Sequence, residues 1–479
     1  MAQNIENQSI KMSDFQRRLG LTDAVMLVSG SMIGSGIFIV TAGMTRNLGA
    51  PGWVLLAWLV AGLMTVMAAL SYGELSAMMP KAGGQYVYIR RAYGELTGFL
   101  YGWTVFMVIQ TGVIAAVAMA FAKFSAVFFP FLGPDHILIS MGSFSINRAQ
   151  VFALASIVLL TLINTGGVQG GKWIQMLFTS TKILALLGLI VFGILTAIDK
   201  GIPAGTLENF WNAAQLKTAG GSSFSVPLSG MALISALGLA MVGSLFSSDA
   251  WNNVTFIAGE IKDPKRNLPL SLFLGTLIVT SLYLLANMAY FSLLPAEEIM
   301  HAAEDRVGTA AAAVIFGDTA VYIMAGLIMV STFGCNNGCI MAGGRLFYAM
   351  AENNLFFKKA KSLNAAGVPA FALWIQCAWA CVLCLSGKYN DLLEYTTFAS
   401  LLFYIVTISG IFILRKKEPD TERPYKAFLY PWIPAAYVLM AVAFCLNLLI
   451  TAPVYTAAGL GIVALGVPVY WLWRTAEPK

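Results

Sequence analysis

The sequence predicts an all-α membrane protein of twelve transmembrane helices. Of its 479 residues 58% are hydrophobic and only 11% charged, the apolar residues gather in twelve stretches of spanning length, and the basic residues concentrate in alternate connections. A soluble domain carries roughly 25% charged residues, so most of this chain belongs in lipid. The net charge of +6 does not point to nucleic acid, because the Lys and Arg residues stand in short runs between apolar stretches and share no face. Met1 to Leu19 is polar and offers no apolar run ahead of a small-residue cleavage site. No removable signal peptide is therefore expected, and the first span acts as its own targeting signal.

A bilayer core takes about 20 apolar residues per helix. The candidate spans are 21–47, 52–78, 97–128, 149–165, 170–197, 228–260, 268–292, 319–350, 370–387, 391–414, 432–452 and 455–473. Of the 29 Lys and Arg residues, 20 fall in segments that lie inward if both termini are cytoplasmic, 7 fall in outward segments and 2 within spans. That bias sets the orientation and suits the inner (plasma) membrane of a cell. After a tail at 1–20, spans one to five (21–197) and six to ten (228–414) form two five-helix halves, and two further helices occupy 432–473. The longest loops, 129–148, 198–227 and 293–318, all face outward. The last carries Glu297, Glu298, Glu304 and Asp305 and reads as a solvated loop helix. Pro80 to Glu95, with Gly83, Gly84 and Arg90-Arg91, is too polar to span and reads as an amphipathic inner-surface connector that moves with the second and third spans.

The six cysteines, Cys335, Cys339, Cys377, Cys381, Cys384 and Cys445, fall in apolar stretches and read as small hydrophobes. Cys381 and Cys384 form a C-x-x-C with no second pair or nearby histidine, so neither a metal nor another cofactor is expected. His136 and His301 sit in loops, which leaves an intramembrane enzyme without its catalytic pair. The run GGVQGGKW at 166–173 resembles a phosphate-binding loop but places Trp173 where Ser or Thr would hold magnesium, and so argues against ATP use. A channel would call for rings of selectivity residues instead of one midplane site.

Span one reads SGSMIGSGIF, with Ser29, Gly30, Ser31, Gly34, Ser35 and Gly36 crowded into an apolar helix. Helix propensity is low there, yet small-xxx-small patterns such as Gly30 to Gly34 also serve close packing of helices. Span six is interrupted as well: MVGSLF runs into Ser247-Ser248-Asp249 and then Trp251-Asn252-Asn253. A mid-span aspartate costs about 2.5–3.5 kcal/mol on insertion scales; a functional site is the default reading and a buried structural carboxylate the alternative. Interrupted helices at corresponding positions of two inverted halves mark a transporter's binding site. A half-helix starting near Ser35 turns N–H groups and a positive dipole end toward a carboxylate, while carbonyls around Met32, Ile33 and Phe246 would receive an ammonium. Together they fit an α-amino acid zwitterion. Phe246 reads either as a gate or lid or as ordinary packing. Ser247, Ser248, Asn336 and Asn337 suggest a partly polar pocket.

Lys182 lies about ten residues into span five, some 15 Å from the membrane face at 1.5 Å per residue. That is too deep to snorkel, so it must pair with a carboxylate or with backbone carbonyls, or be neutral for part of the cycle. A fixed positive charge near the first-span break is the functional reading, and a structural pairing the alternative. Arg345, near the inward end of span eight, reads as a snorkelling anchor.

Four ordered motifs, GSMIGSGIF, SYGELSAMMPKAGGQYVYIRRAYG, FSSDAWNN with AGEIKDPKRNLP, and NGCIMAGGRLFYAM, make the chain similar to the amino acid-polyamine-organocation superfamily over nearly its whole length. Within it the chain resembles the L-type amino acid transporters, especially their bacterial members. The resemblance implies a five-plus-five inverted repeat with discontinuous first and sixth helices, and sodium-independent transport of neutral L-amino acids, often by obligatory exchange. It implies that Met32, Ile33, Gly34, Ser35 and Gly36 bind the substrate's backbone groups, with the Ser35 and Gly36 N–H groups on the carboxylate. Phe246 and Asp249 would offer carbonyls to the ammonium, and Asn252 would support the unwound segment. Lys182 would stand where sodium-coupled relatives hold a sodium ion. Animal members attach by disulfide to a glycoprotein through a cysteine in the loop after span three. Residues 129–148 contain none, so no such partner is expected. The alternatives are a proton-coupled symporter, with Glu74, Asp249 or Glu260 as proton sites, and a carrier of cationic amino acids or polyamines. The bland role for Glu74 and Glu260 is that of ion-paired caps.

Overall fold

The computed structural model describes residues 17–141, 144–219, 222–317, 319–386 and 389–475. Residues 1–16 of the expected tail lie outside them. The helices are α1 (Leu21–Met32), α2 (Gly36–Leu48), α3 (Pro51–Met78), α4 (Gln85–Tyr93), α5 (Glu95–Phe128), α6 (Arg148–Thr165), α7 (Val168–Lys200), α8 (Gly230–Ser247), α9 (Asn253–Phe256), α10 (Pro264–Leu293), α11 (Val307–Phe316), α12 (Thr319–Glu352), α13 (Ala370–Ser386), α14 (Tyr389–Lys417), α15 (Trp432–Thr451) and α16 (Pro453–Thr475). Among the described residues eleven spans are long and apolar enough to cross a bilayer, with α1 and α2 as two halves of one, and α13 is a shorter apolar twelfth. The chain is a multi-pass, all-α membrane protein.

Local chemistry sets several of these boundaries. Proline opens α3 and α10 at the first helical position, where its missing N–H costs nothing. Asn147 and Gln150 exchange side-chain-to-backbone bonds of 2.9 Å as a capping box for α6. Gly49 ends α2 with φ 70°, a left-handed cap that favours glycine.

The first span is the most enclosed, with 89% of its apolar window buried, against 22% for the last span, Thr456–Arg474. The broken helix is thus the axis of the bundle, and α16 lies at its lipid-facing edge. Helices α7, α15 and α16 turn large apolar side chains outward, among them Leu184, Ile198, Leu439, Ile450 and Leu472.

Two of the expected outward loops are more ordered than the sequence suggested. Residues 129–148 contain a hairpin of β1 (Ile137–Met141) and β2 (Phe144–Asn147), and 198–227 contain a second of β3 (Ala214–Ala219) and β4 (Ser222–Pro227). The third loop holds α11, and Asp305 in it is tied down: Arg46 bonds Asp305 at 2.8 Å and the Met300 carbonyl at 2.7 Å.

The opposite, basic face is cross-linked by ion pairs. Glu74, at the end of α3, is buried between Arg415 (2.6 Å) and Arg423 (3.3 Å) and accepts the Ala427 N–H at 2.7 Å. Arg91 reaches Glu418 at 2.5 Å and holds that carboxyl below its ordinary value. Arg345 corrects the sequence reading. It is no snorkelling anchor, for it is only 1% exposed and bonds Glu260 at 3.0 Å and the Met341 carbonyl at 2.9 Å. A buried carboxylate sits within its reach, and the pair satisfies itself without solvent. Beside it, the Arg18 and Leu19 N–H groups donate to the Glu260 carbonyl and Lys262 N–H to that of Leu19.

Candidate functional site

Both predicted breaks are present. The first helix stops at Met32, Ile33 leaves helical geometry with ψ 91°, and α2 restarts at Gly36 with Ser35 as its cap residue. The Phe38 N–H bonds the Ser35 carbonyl at 3.0 Å, the Gly36 and Ile37 N–H groups ahead of it have no intrahelical carbonyl to meet, and the positive end of α2 faces the gap. In span six α8 stops at Ser247, and Ala250 takes a left-handed φ of 63°. The continuation is one turn, α9, and a 3-10 turn at Ala258–Glu260, so the second half of span 228–260 is shorter and less regular than expected.

The structure brings the two breaks together. The Tyr283 hydroxyl of α10 lies 3.0 Å from the Met32 carbonyl and 3.1 Å from that of Ser247, sharing its single proton between them. A Cβ on Gly36 would collide with Ser247 Oγ, and one on Gly30 with Gln175 and Thr179. Close packing and the helix break are thus served by the same small residues. Phe246 is buried against this junction.

Lys182, 1% exposed, points three donors at three acceptors: the carbonyls of Gly30 (2.5 Å), Ile33 (2.7 Å) and Ser331 (3.4 Å). The pairing is with carbonyls, one of the two expected partners, and it saturates the ammonium. Ser331 Oγ also donates toward the Ile33 and Gly34 carbonyls, at 3.2 and 3.3 Å, and Cys335 Sγ to that of Ser31 at 2.9 Å. The carbonyls of Met32 and Ile33, expected to receive a ligand ammonium, are therefore already engaged by Tyr283, Lys182 and Ser331.

On the other side of the sixth-span break, the Asp249 carboxylate accepts from Tyr404 (2.5 Å) and Ser400 (3.1 Å) of α14. Asn252 donates to Gln85 Oε1 at 2.7 Å. Gln85 also accepts from Tyr101 and donates to Thr407 and the Phe403 carbonyl, so its whole carboxamide capacity is spent. Two small cavities of ≈20 Å³ each adjoin Asp249, room for about one water on a scale where one needs roughly 10–15 Å³. Thr65, Ser248 and Tyr437 line one; Tyr101, Gln110 and Asn253 line the other. Neither is lined by Met32 to Gly36.

Several participants escaped the sequence reading. Gln85 belongs to the segment taken as a surface connector, yet it is buried inside the polar network. Tyr283, Ser331, Ser400 and Tyr404 are isolated polar residues on apolar helices, and only a helical-face count against the breaks could have raised them. A π-helical turn at Val105–Ile109 in α5 lines the second cavity and is a feature common at functional sites. Asn336 and Asn337 bond the Ile114 carbonyl (3.2 Å) and the side chains of Asn164 (2.8 Å) and Gln175 (3.4 Å). They tie helices together, and neither lines the cavities at Asp249.

A family model described as amino acid permease matches residues 19–472. The chain is 32% identical over 463 residues to the mouse large neutral amino acids transporter small subunit 2, covering 95% of this chain and 81% of that one. The human protein of the same name is also 32% identical, with 95% and 80% covered. Human b(0,+)-type amino acid transporter 1 is 29% identical over 458 residues, with 94% and 86% covered. A continuous match across every span, joined to the two broken helices, identifies this chain as an amino acid transporter, a member of the amino acid permease family within the amino acid-polyamine-organocation superfamily.

Proposed function

We propose that this transporter is a sodium-independent carrier of neutral L-amino acids that exchanges one substrate for another by alternating access. The observation that carries the reading is Lys182, whose ammonium occupies the carbonyl cage of the first-span break. Carbonyl oxygens are also the ligands of hard cations, and a resident lysine makes a co-transported sodium redundant there. In this reading Gly34, Ser35 and Gly36 hold the substrate carboxylate at the start of α2. Phe246, Ser247, Ser248 and Asp249 receive its ammonium from span six, and Asn252 supports the unwound segment through Gln85. Met32 and Ile33 shape the site, with their carbonyls released only as Tyr283 and Lys182 move. Phe246 acts as the gate. Residues 21–197 and 228–414 are the two inverted halves, and both termini lie on the cytoplasmic side of the cell membrane, where the basic face belongs. The 129–148 segment lacks cysteine, so the carrier works without a disulfide-linked subunit.

Glu74 and Glu260 are each ion-paired and buried, which makes them poor proton carriers. Asp249 supports a second reading. Among the described residues its carboxylate meets hydroxyls and no cationic side chain, so it could admit a basic substrate.

Proteoliposomes preloaded with labelled alanine or leucine test the exchange reading. Efflux should require external amino acid and be indifferent to sodium, and uptake driven by an imposed pH step would overturn it. Competition by arginine or lysine as strong as that by leucine, lost in Asp249→Asn, would instead favour the second reading.

A further inference from the structure

We propose that a groove between α3, α10 and the 424–425 turn binds an anionic phospholipid. Its volume is ≈410 Å³, within the roughly 300–1,000 Å³ of ligand pockets and far above the ≈20 Å³ of the cavities at Asp249. Its walls are apolar, formed by Leu70 of α3, Leu270 and Phe273 of α10, and Tyr425. Lys265 and Arg266 stand at its mouth. From Lys265 to Phe273 is eight residues of helix, about 12 Å at 1.5 Å per residue. The groove therefore runs from charged first turn to hydrocarbon depth, the layout of a phosphate head above an acyl chain. A soluble phosphate compound would leave the apolar depth empty.

The charge at the mouth suits that occupant. Lys265 and Arg266 line the groove; Lys262 and Asp263 precede them in the chain, and Glu422 lies opposite Lys265. The Lys265–Glu422 pair, 3.0 Å apart, is solvent-facing, with side chains 52% and 74% exposed. Such pairs hold weakly, so Lys265 can turn to a phosphate. Among the described residues the exposed Arg266 guanidinium has no carboxylate partner. Tyr425 fixes the floor: its ring packs so closely on α3 that a Cβ on Gly73 would lie 2.6 Å from it. The adjacent Glu74 anchors the same turn through Arg423 and Ala427. A lipid here would brace α10 against α3 next to that ion-pair cluster.

The experiment is native mass spectrometry of the delipidated full chain, titrated with phosphatidylglycerol or with phosphatidylcholine of the same acyl chains. Wild type should retain phosphatidylglycerol preferentially. The double variant Lys265→Gln, Arg266→Gln should lose that retention by roughly tenfold or more, as expected for two cations at an anionic surface. Leu270→Trp, which fills the groove, should lower retention of the lipid without altering charge. Lys358→Gln with Lys359→Gln, exposed lysines outside the groove, should change nothing. Equal retention of both lipids by wild type, an unaffected double variant, or an equal loss in the Lys358 and Lys359 control would overturn the proposal. So would displacement of the lipid by inorganic phosphate alone, or a dimer that carries no lipid, which would assign the groove to a second copy of the chain.

Discussion

At the scale of single residues, the membrane turns every buried polar atom into a question about its partner. Lys182 answers it with three backbone oxygens, so its charge is dispersed over dipoles with no carboxylate involved. Two of those oxygens, on Gly30 and Ile33, are supplied by the helix break, and the third by Ser331 of the uninterrupted α12. Shortening the side chain should show the dependence. Lys182→Ala would strand carbonyls whose loss of a charged partner costs about 1–3 kcal/mol, lowering the melting temperature and slowing exchange by roughly tenfold or more. Because the emptied cage has the oxygen ligands of a small cation, sodium should raise the melting temperature of Lys182→Ala and leave wild type unchanged. A thermal-shift titration with sodium against choline checks this. A sodium-indifferent variant with wild-type exchange would remove Lys182 from the cycle and leave it a packing residue.

At the scale of elements, the breaks in spans one and six depend on each other. Gly36 opens α2 where Ser247 closes α8, with no room for a β-carbon between them. Gly36→Ala should destabilise the fold by about 1–3 kcal/mol, the range for overpacking. Ser247→Gly, which removes the obstructing Oγ and Cβ, should recover much of that loss in the double variant. Additive melting-temperature losses across the four proteins would show that the two positions do not couple. Element type and order were legible in the sequence because twelve long apolar runs leave few alternatives in lipid, and the breaks were legible because Gly, Ser and Asp are out of place there. What the sequence could not display is which element meets which. Gln85 looked like a surface residue because its neighbours Gly83, Gly84, Arg90 and Arg91 are polar or small, yet its own side chain turns inward to Asn252 and Tyr101. Arg345 looked like an anchor because its partner, Glu260, lies 85 positions away. The hairpins of 129–148 and 198–227 were legible too, in the pairs Gly142-Ser143 and Gly220-Gly221 between their strands, but a count of long apolar runs carries no signal for short strands outside the bilayer.

At the scale of the whole molecule, the basic face is closed over the site in this structure. Leu19 bridges Ile261, Arg345 clasps Glu260, and α9 packs beneath them against α12. An alternating-access cycle must undo this closure, and the buried pair is the part whose removal has the largest expected effect. Replacing Arg345 by Gln leaves Glu260 charged and buried, a loss of about 3–5 kcal/mol for the closed arrangement. The molecule can relieve that cost by opening the basic face to water. Cys339 is suited to report it, lying on α12 six residues, or about 9 Å of helix rise, before Arg345, buried and in contact with Asn253 of α9. A membrane-impermeant maleimide applied from the basic side should therefore label Cys339 at least about tenfold faster in Arg345→Gln than in wild type, since each 1.4 kcal/mol is a factor of ten. Arg345→Lys, which keeps the charge but loses the guanidinium geometry, should fall between the two. Saturating substrate should slow the labelling if it stabilises a closed, loaded state. Equal labelling in wild type and Arg345→Gln would mean that the Leu19–Ile261 bridge and α9 keep that face shut without the ion pair, and the control of access would then have to lie with Phe246 and the broken helices themselves.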